Sequence, residues 1–162
     1  DPAMASVIAR SGAAVVLMHM QGTPQTMQLA PRYSDVTTEV VRFLAERIQV
    51  AQDAGIARTN IMLDPGFGFG KLVSHNLELL RGLSSLLILD RPVLVGLSRK
   101  AFIGTIVEKS VEHREWGTAA AVALAVDRGA RIIRVHDVAM MRDVVKLAAA
   151  SSCYWPSNRG EG

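Results

Sequence analysis

Four short apolar runs in this chain each end at a group of polar residues. Each run is rich in Val, Ile, Leu and Met, is too short for an ordinary helix, and is followed by a segment with helical periodicity. This alternation predicts an α/β fold in which buried parallel strands are joined by crossover helices. The polar groups at the ends of the runs are His19, Asp64, Ser98-Arg99-Lys100 and His136-Asp137. Because parallel strands run in one direction, we expect these groups on one carboxyl-terminal face, where α/β proteins hold their active sites.

The whole pattern predicts four strands and five helices in strict alternation. The predicted strands lie within residues 14–18, 61–63, 93–97 and 132–135, and the predicted helices within residues 1–12, 34–55, 76–87, 116–128 and 140–150. Asp1 and Pro2 suit the start of the first helix. Asn76 is predicted to begin the third helix, and a basic loop followed by a polar link, Glu108–Glu115, is predicted between the third strand and the fourth helix. Residues 151–162 are polar and predict a disordered tail.

The composition is that of a folded globular domain. Of the 162 residues, 49% are apolar and 20% charged, which excludes a disordered chain and predicts one domain over residues 1–150. The net charge is only +3, the basic residues form no run and aromatic residues make up 5%, so nucleic-acid binding is not expected. Neither a membrane span nor a secretory leader is expected, and the single Cys153 excludes an intrachain disulfide. These features favour a cytoplasmic protein.

A glycine-rich loop, Gly66–Gly70, follows the second predicted strand and matches neither common nucleotide-binding motif. Pro65 stands where a phosphate-binding P-loop needs its first glycine, and Leu72 stands where it needs Ser or Thr. Lys71 occupies the position of the sixth glycine in a dinucleotide-binding fingerprint. Two interpretations stay open: a tight strand-to-helix turn, or a flat backbone that lies against a planar ligand with Phe69 as a wall.

Two further strand ends carry charges whose role the spacing alone does not decide. Asp64 directly follows a buried apolar run and is either a turn or capping residue or a carboxylate that pairs with the donors of a heterocycle. Arg99 and Lys100 form either a solvated basic loop or a pair of cations at the same mouth.

Arg134 and His136 provide the sharpest indication of chemistry. Alternate residues of a strand share a face, so the two side chains are predicted to project together. An arginine buried in an apolar strand is costly unless it meets an anion, and Arg with His suits phosphate. Loops after the last two strands of (β/α) barrels commonly bind phosphate.

The remaining candidates carry weaker signals. His75 and His113 are predicted to face solvent, and no spacing of His, Cys and Asp is typical of zinc. Ser98 lacks the glycines of a nucleophile elbow. Met18 is predicted to line the core or a pocket.

Four ordered segments give the chain a specific resemblance over nearly its whole length, up to about Ala150. They are Met18–Pro24, Leu63–Lys71, Gly96–Lys100 and Arg134–Val138. Together they resemble the dihydropteroate synthase family. The family folds as a (β/α)₈ TIM barrel, so the resemblance implies that these four strands are the carboxyl-terminal half of a barrel. It also implies the condensation of a dihydropterin-methyl pyrophosphate with p-aminobenzoate, which yields dihydropteroate and pyrophosphate.

The resemblance also implies a role for individual residues. For the pterin it implies that Asp64 holds the amino-pyrimidine edge, that Lys100 bonds the ring and that Arg134 stacks over it, with Met18 and Gly96 lining the slot. Asp64, Lys100 and Arg134 are thereby the expected catalytic residues.

For the other ligands the resemblance implies a second group of residues. Phe69, Ser98 and Arg99 are expected to border the p-aminobenzoate site, where sulfonamides compete, and His136 is expected to join Arg134 as a pyrophosphate ligand. The family usually has Ser where this chain has Ala101, which removes a hydroxyl near the aminobenzoate carboxylate.

The first four strands of the family are not present in this chain. Mg²⁺ is therefore expected with no ligand from this chain, and we expect either a homodimer or pairing with a missing amino-terminal half. The chain alone is expected to be inactive. Two alternatives stay open: a folate-dependent methyltransferase type of pterin-binding barrel, and a noncatalytic fragment or assembly partner.

Overall fold

A computed structural model of the protein describes residues 3–154. Its centre is one parallel sheet with the strand order β1-β2-β3-β4. The strands are β1 (Val15–Met18), β2 (Ile61–Asp64), β3 (Val93–Val95) and β4 (Ala130–Ile133). This arrangement confirms the predicted α/β fold with four parallel strands. It also places the carboxyl ends of all four strands on one face, because every pair of neighbouring strands is parallel.

The register of the sheet brings the first two polar strand ends together. Met18 is paired with Asp64 across β1 and β2, and the His19 N–H donates to the Asp64 carbonyl at 3.0 Å. Buried apolar residues on the strands and their helices form the main core, and Leu63, Val93 and Val95 are almost completely inaccessible in it. The central strands β2 and β3 are largely buried, as expected for strands of a helix-covered parallel sheet, whereas the edge strands β1 and β4 are partly exposed.

Six α-helices lie among the described residues, one more than the sequence pattern predicts. They are α1 (Met4–Ser11), α2 (Val36–Asp53), α3 (Val73–Arg81), α4 (Ala101–Val107), α5 (Glu115–Asp127) and α6 (Val138–Ser151). The prediction of loops after Lys100 was wrong for α4. This helix is short, contains Gly104 and has no side-chain cap, so local signals are weak. Burial of Phe102 and Ile103 in the core stabilises it instead.

Helix α3 begins three residues before the predicted start. Asn76 is not its cap: the Nδ2 of Asn76 donates to the Leu72 carbonyl at 2.7 Å, and its Oδ1 accepts from the Gly68 N–H at 2.7 Å. Beyond α3 the chain continues as a 3₁₀ helix, Leu83–Leu89, where one continuous helix was predicted. The side chain of Asn76 therefore connects the glycine loop to α3.

Helix α5 is apolar on all sides because it lies between two clusters. Ala121 and Ala125 pack into the main core, whereas Val122 and Val126 pack with α6. By contrast, α2 buries a single stripe with helical spacing and starts at Asp35, whose carboxylate accepts from the Thr38 N–H at 2.8 Å.

The two ends of the described chain differ from the sequence pattern in detail. Asp1 and Pro2 lie outside the described residues. Ser151 is the last residue of α6, and the buried Ser152 donates to the Asp127 carbonyl at 3.1 Å. The rest of the predicted tail, residues 155–162, is outside the described range. Among the helices of residues 3–154, none is both long and apolar enough to cross a bilayer.

Candidate active site

A cavity of about 430 Å³ opens at the carboxyl ends of β3 and β4. Its walls are formed by Gly96, Ser98, Lys100, Arg134, Val135 and His136. Five of these are residues that the sequence singled out, and they come from two loops that are 34 or more residues apart in the chain. The tertiary structure therefore joins the two predicted basic groups in one site.

Arg134 reaches this cavity from just beyond the end of β4. Its N–H donates to the Val95 carbonyl at 2.9 Å, and its side chain is exposed. The predicted burial of Arg134 within a strand is therefore wrong, since β4 ends at Ile133. A Cβ on Gly96 would lie only 2.9 Å from the Nη2 of Arg134, so Gly96 leaves the space in which the guanidinium lies across the strand end.

His136 and Ser98 form a hydrogen-bonded pair across the cavity. The hydroxyl of Ser98 lies 2.7 Å from the Nδ1 of His136, and the His136 N–H donates to the same oxygen at 3.3 Å. Since the Ser98 oxygen accepts the backbone proton, its own hydroxyl proton is available for Nδ1. In that arrangement the Nε2 of His136 carries the ring proton and is free to donate to an anion.

The Asp64 carboxylate accepts a hydrogen bond in the turn after β2 and also lies within the electrostatic influence of the cations of the site. It is buried, and its Oδ1 accepts from the Gly66 N–H at 2.8 Å. Burial raises the pKa of this carboxyl, while the Gly66 N–H and the charges of Arg134, Lys100 and Lys71 act in the opposite direction. One oxygen is engaged in the turn, so the carboxylate retains capacity to accept from a ligand.

Lys100 lies between the cavity and the glycine loop. Its Nζ is 4.1 Å from the centre of the Phe69 ring, a cation–π contact. Burial lowers the pKa of Lys100, with Asp64 raising it and Arg134 lowering it further. Gly68 has a φ of +78°, and a Cβ there would meet the Lys100 side chain at 3.1 Å. Gly68 therefore leaves the space in which the Lys100 side chain lies.

Lys71 and His19 form a buried pair outside the cavity lining, and the sequence placed His19 on this face without predicting the contact. Both are buried, and the Nζ of Lys71 lies 2.9 Å from the His19 Nδ1. The same nitrogen donates to the carbonyls of Gly66 at 2.9 Å and Phe69 at 3.1 Å. Burial lowers the pKa of Lys71 to about 7, and burial followed by the Lys71 charge lowers that of His19 to about 4. Only their position next to the strand ends in sequence could have identified them.

Two other candidates do not line the cavity. Met18 is half-buried beside Asp64 at the end of β1. The Arg99 side chain is exposed and does not line the cavity. His113 is exposed, as predicted. His75 is half-buried, with the centre of its ring 4.9 Å from the centre of the Tyr33 ring, so the prediction that it faces solvent was wrong.

The residues of the described range do not fit a magnesium site. No group of three or more His, Cys, Asp or Glu that could hold a metal is present among residues 3–154. Mg²⁺ prefers carboxylate and other oxygen ligands, whereas the charged groups that line this cavity are Lys100 and Arg134.

The sequence matches the family model described as pterin binding enzyme over residues 1–136. The chain belongs to the pterin binding enzyme family. Two curated relatives in this family are dihydropteroate synthases. The one from Haemophilus influenzae is 46% identical over 138 residues, which are 85% of this chain and 50% of the relative. The one from Escherichia coli K12 is 44% identical over 151 residues, 93% of this chain and 54% of the relative.

Solved structures of pterin binding enzymes agree with the fold. A Yersinia pestis dihydropteroate synthase in complex with a sulfonamide drug has a TM-score of 0.88 and 42% identity, covering 90% of this chain and 53% of that one. A Xanthomonas albilineans dihydropteroate synthase with 4-aminobenzoic acid has a TM-score of 0.85 and 45% identity, covering 93% and 53%. The chain thus spans about half the length of the relatives it matches.

Proposed function

We propose that this chain supplies the carboxyl-terminal half of a dihydropteroate synthase site. The observation that carries the proposal is the grouping of buried Asp64 with Lys100 and Arg134 at the mouth formed by the strand ends. A carboxylate beside two cations suits a ligand that has hydrogen-bond donors on one edge and a negative charge at the other end.

For the pterin, we assign the free oxygen of Asp64 to the amino-pyrimidine edge, which presents N–H donors. Lys100 donates to an acceptor of the ring, and Gly96 and Met18 line the slot. Asp64 is oriented for this task because the Gly66 N–H holds its other oxygen at 2.8 Å. Partial burial strengthens these contacts, since few water molecules compete for them.

For the reaction, we assign Arg134 and His136 to the pyrophosphate. The amine of p-aminobenzoate forms a bond to the pterin methylene carbon while the carbon–oxygen bond to pyrophosphate breaks, and the amine loses a proton. Negative charge grows on the departing oxygen, so the Arg134 guanidinium and the Nε2 proton of His136 stabilise the transition state. Phe69, with the Ser98–Arg99 turn, borders the p-aminobenzoate subsite, where a sulfonamide competes.

The remaining half of the site must come from outside the described residues. Within residues 3–154, β1 and β4 are the two edges of the sheet, and neither has a further strand beside it. In a closed (β/α)₈ barrel those edges are paired. We therefore propose that turnover requires a second set of four strands, together with Mg²⁺ held by that set, and that this chain alone has no measurable synthase activity.

The methyltransferase alternative differs from the synthase proposal in the ligand that it requires. A methylated folate has no pyrophosphate, so a cavity lined by Lys100, Arg134 and His136 would have no anion to match. Isothermal titration of the chain with dihydropterin-methyl pyrophosphate and with methyltetrahydrofolate compares the two directly. Preference for the methylated folate would reject the synthase proposal, as would absence of pterin binding.

Activity is tested in a completed barrel, in which this chain follows the amino-terminal half of the Escherichia coli relative. The 44% identity over 93% of this chain supports such a junction. We expect the completed barrel to form dihydropteroate and to be inhibited by a sulfonamide. A folded completed barrel without synthase activity would contradict the proposal.

A further inference from the structure

The turn between β3 and α4 holds Arg99 in an unusual backbone conformation. Its φ is +58°, in the left-handed region that non-glycine residues rarely adopt. The turn is functionally placed, because Ser98 and Lys100 on either side of Arg99 both line the cavity. A residue in such a conformation persists only where its surroundings hold it.

Thr118 on α5 and Arg114, the residue just before α5, hold both polar backbone groups of Arg99. The Arg99 N–H donates to the Oγ1 of Thr118 at 3.2 Å, and the Arg99 carbonyl accepts from the Nη1 of Arg114 at 2.9 Å. Thr118 is almost completely buried, with 2% exposure. The two contacts hold the peptide units on either side of Arg99, so together they fix the orientation of the turn.

Arg114 reaches the turn through a gap in α4. A Cβ on Gly104 would lie 2.1 Å from the Nε of Arg114, closer than atoms approach in proteins. The Arg114 Nε also donates to the Lys109 carbonyl at 3.2 Å, beyond the end of α4. Glycine weakens the interior of a helix relative to alanine. At this position the missing side chain gives the guanidinium its path to Arg99.

We propose that Arg114 and Thr118 are positioning residues of the site. They act through Arg99, holding the turn so that Lys100 and Ser98 face the cavity together. Gly104 contributes to the same arrangement, because a larger residue there would occupy the space of the Arg114 side chain. This positioning role rests on the proposed function, and its effect on anion binding is measured with inorganic pyrophosphate alone.

Threonine variants of the chain test the first contact with a matched pair. Thr118→Val keeps the shape and removes the hydroxyl, whereas Thr118→Ser keeps the hydroxyl. We expect Thr118→Val to weaken binding of inorganic pyrophosphate about ten-fold, because small misplacements of site groups cost up to about 100-fold. Thr118→Ser is expected to keep the affinity. Hydrogen exchange of the Arg99 amide is expected to accelerate only in Thr118→Val.

A double variant separates positioning from stability. Gly104→Ala introduces the clash, and adding Arg114→Ala removes it while leaving a better helix former in α4. We expect the double variant to melt at a higher temperature than Gly104→Ala but to stay about ten-fold weaker for pyrophosphate. Recovery of affinity together with stability, or unchanged affinity in Thr118→Val, would overturn the inference. A wild-type chain that binds pyrophosphate but no pterin pyrophosphate would reject the proposed function alone.

Discussion

The Nζ of Lys71 lies 2.9 Å from the Nδ1 of His19, and both groups are buried beneath the glycine loop. Lys71 also donates to two carbonyls of that loop, so in its protonated form three N–H groups meet three acceptors. This lysine holds the ends of the loop that carries Phe69. Its position makes the stability of the chain dependent on pH.

We expect the free energy of unfolding to rise with pH between about 7 and 10.5, the folded and ordinary pKa values of Lys71. In that range the unfolded chain retains the lysine proton, whereas the folded chain has released it. The unfolded state then binds more protons, so raising the pH favours folding. Urea unfolding of the chain at several pH values measures the slope.

The Lys71→Met variant is expected to lose this slope, and Lys146→Met removes a lysine exposed on α6 as the control. A slope that persists in Lys71→Met would assign the effect to another group. His19 predicts a second rise of the free energy of unfolding, between about pH 4 and pH 6.5. The reason is the same, because burial lowers the pKa of His19 in the folded chain from 6.5 to about 4.

Asp64→Asn is expected to weaken pterin binding about 10- to 100-fold, since hydrogen bonds to charged groups contribute about 1.5–3 kcal/mol. The asparagine oxygen still accepts from the Gly66 N–H, so the turn is preserved. Titration calorimetry of the chain measures the pterin, and the completed barrel measures p-aminobenzoate. The control is Asp90→Asn, which is outside the cavity. Equal losses for both ligands would indicate a purely structural Asp64.

Arg134→Ala is expected to reduce pyrophosphate affinity by about ten-fold or more, because charge-assisted hydrogen bonds are lost. Arg134→Lys keeps the charge but not the two-pronged geometry, so an intermediate loss is expected. Lys146→Ala removes one exposed charge outside the cavity and serves as the control. If all three variants bind pyrophosphate alike, Arg134 is not the anion ligand.

Gly66→Ala is expected to destabilise the chain more than Gly12→Ala. The two glycines have similar φ values, +71° and +67°, so the backbone strain is comparable at about 1–2 kcal/mol. A Cβ on Gly66 would lie 1.8 Å from the His19 carbonyl oxygen, whereas nothing lies within 4 Å at Gly12. Thermal unfolding should show an extra cost of about 1–3 kcal/mol for Gly66→Ala. Equal losses of unfolding free energy in the two variants would mean that the end of β1 shifts to make room for the new methyl group at little cost.

Ala101→Ser is expected to tighten p-aminobenzoate binding in the completed barrel by about 0.5–1.5 kcal/mol, the contribution of one hydrogen bond. Ala101 is exposed at the first position of α4, so the hydroxyl fits without strain. Ala120→Ser makes the same change at an exposed position of α5 as the control. No gain from Ala101→Ser would show that another donor already serves the carboxylate.

The local pattern of the sequence determined the strands and the position of the site. Short apolar runs ending at polar residues report parallel strands, because burial on both faces excludes charges until the strand ends. The positions of Asp64, Lys100 and His136 at strand ends were therefore predictable from their neighbours alone, although the roles of Asp64 and Lys100 were not. The four ordered motifs were specific enough to indicate the pterin-binding family.

Only the tertiary structure decided which other residues support the site. Helix α4 forms because Phe102 and Ile103 reach the core, a contact that local propensity does not contain. The contact of Arg114 with Arg99 joins residues 15 apart, and that of Lys71 with His19 joins residues 52 apart. Both depend on how elements pack. The sequence indicates which positions along each helix or strand are buried. The contacts described above depend instead on how closely separate elements pack against one another.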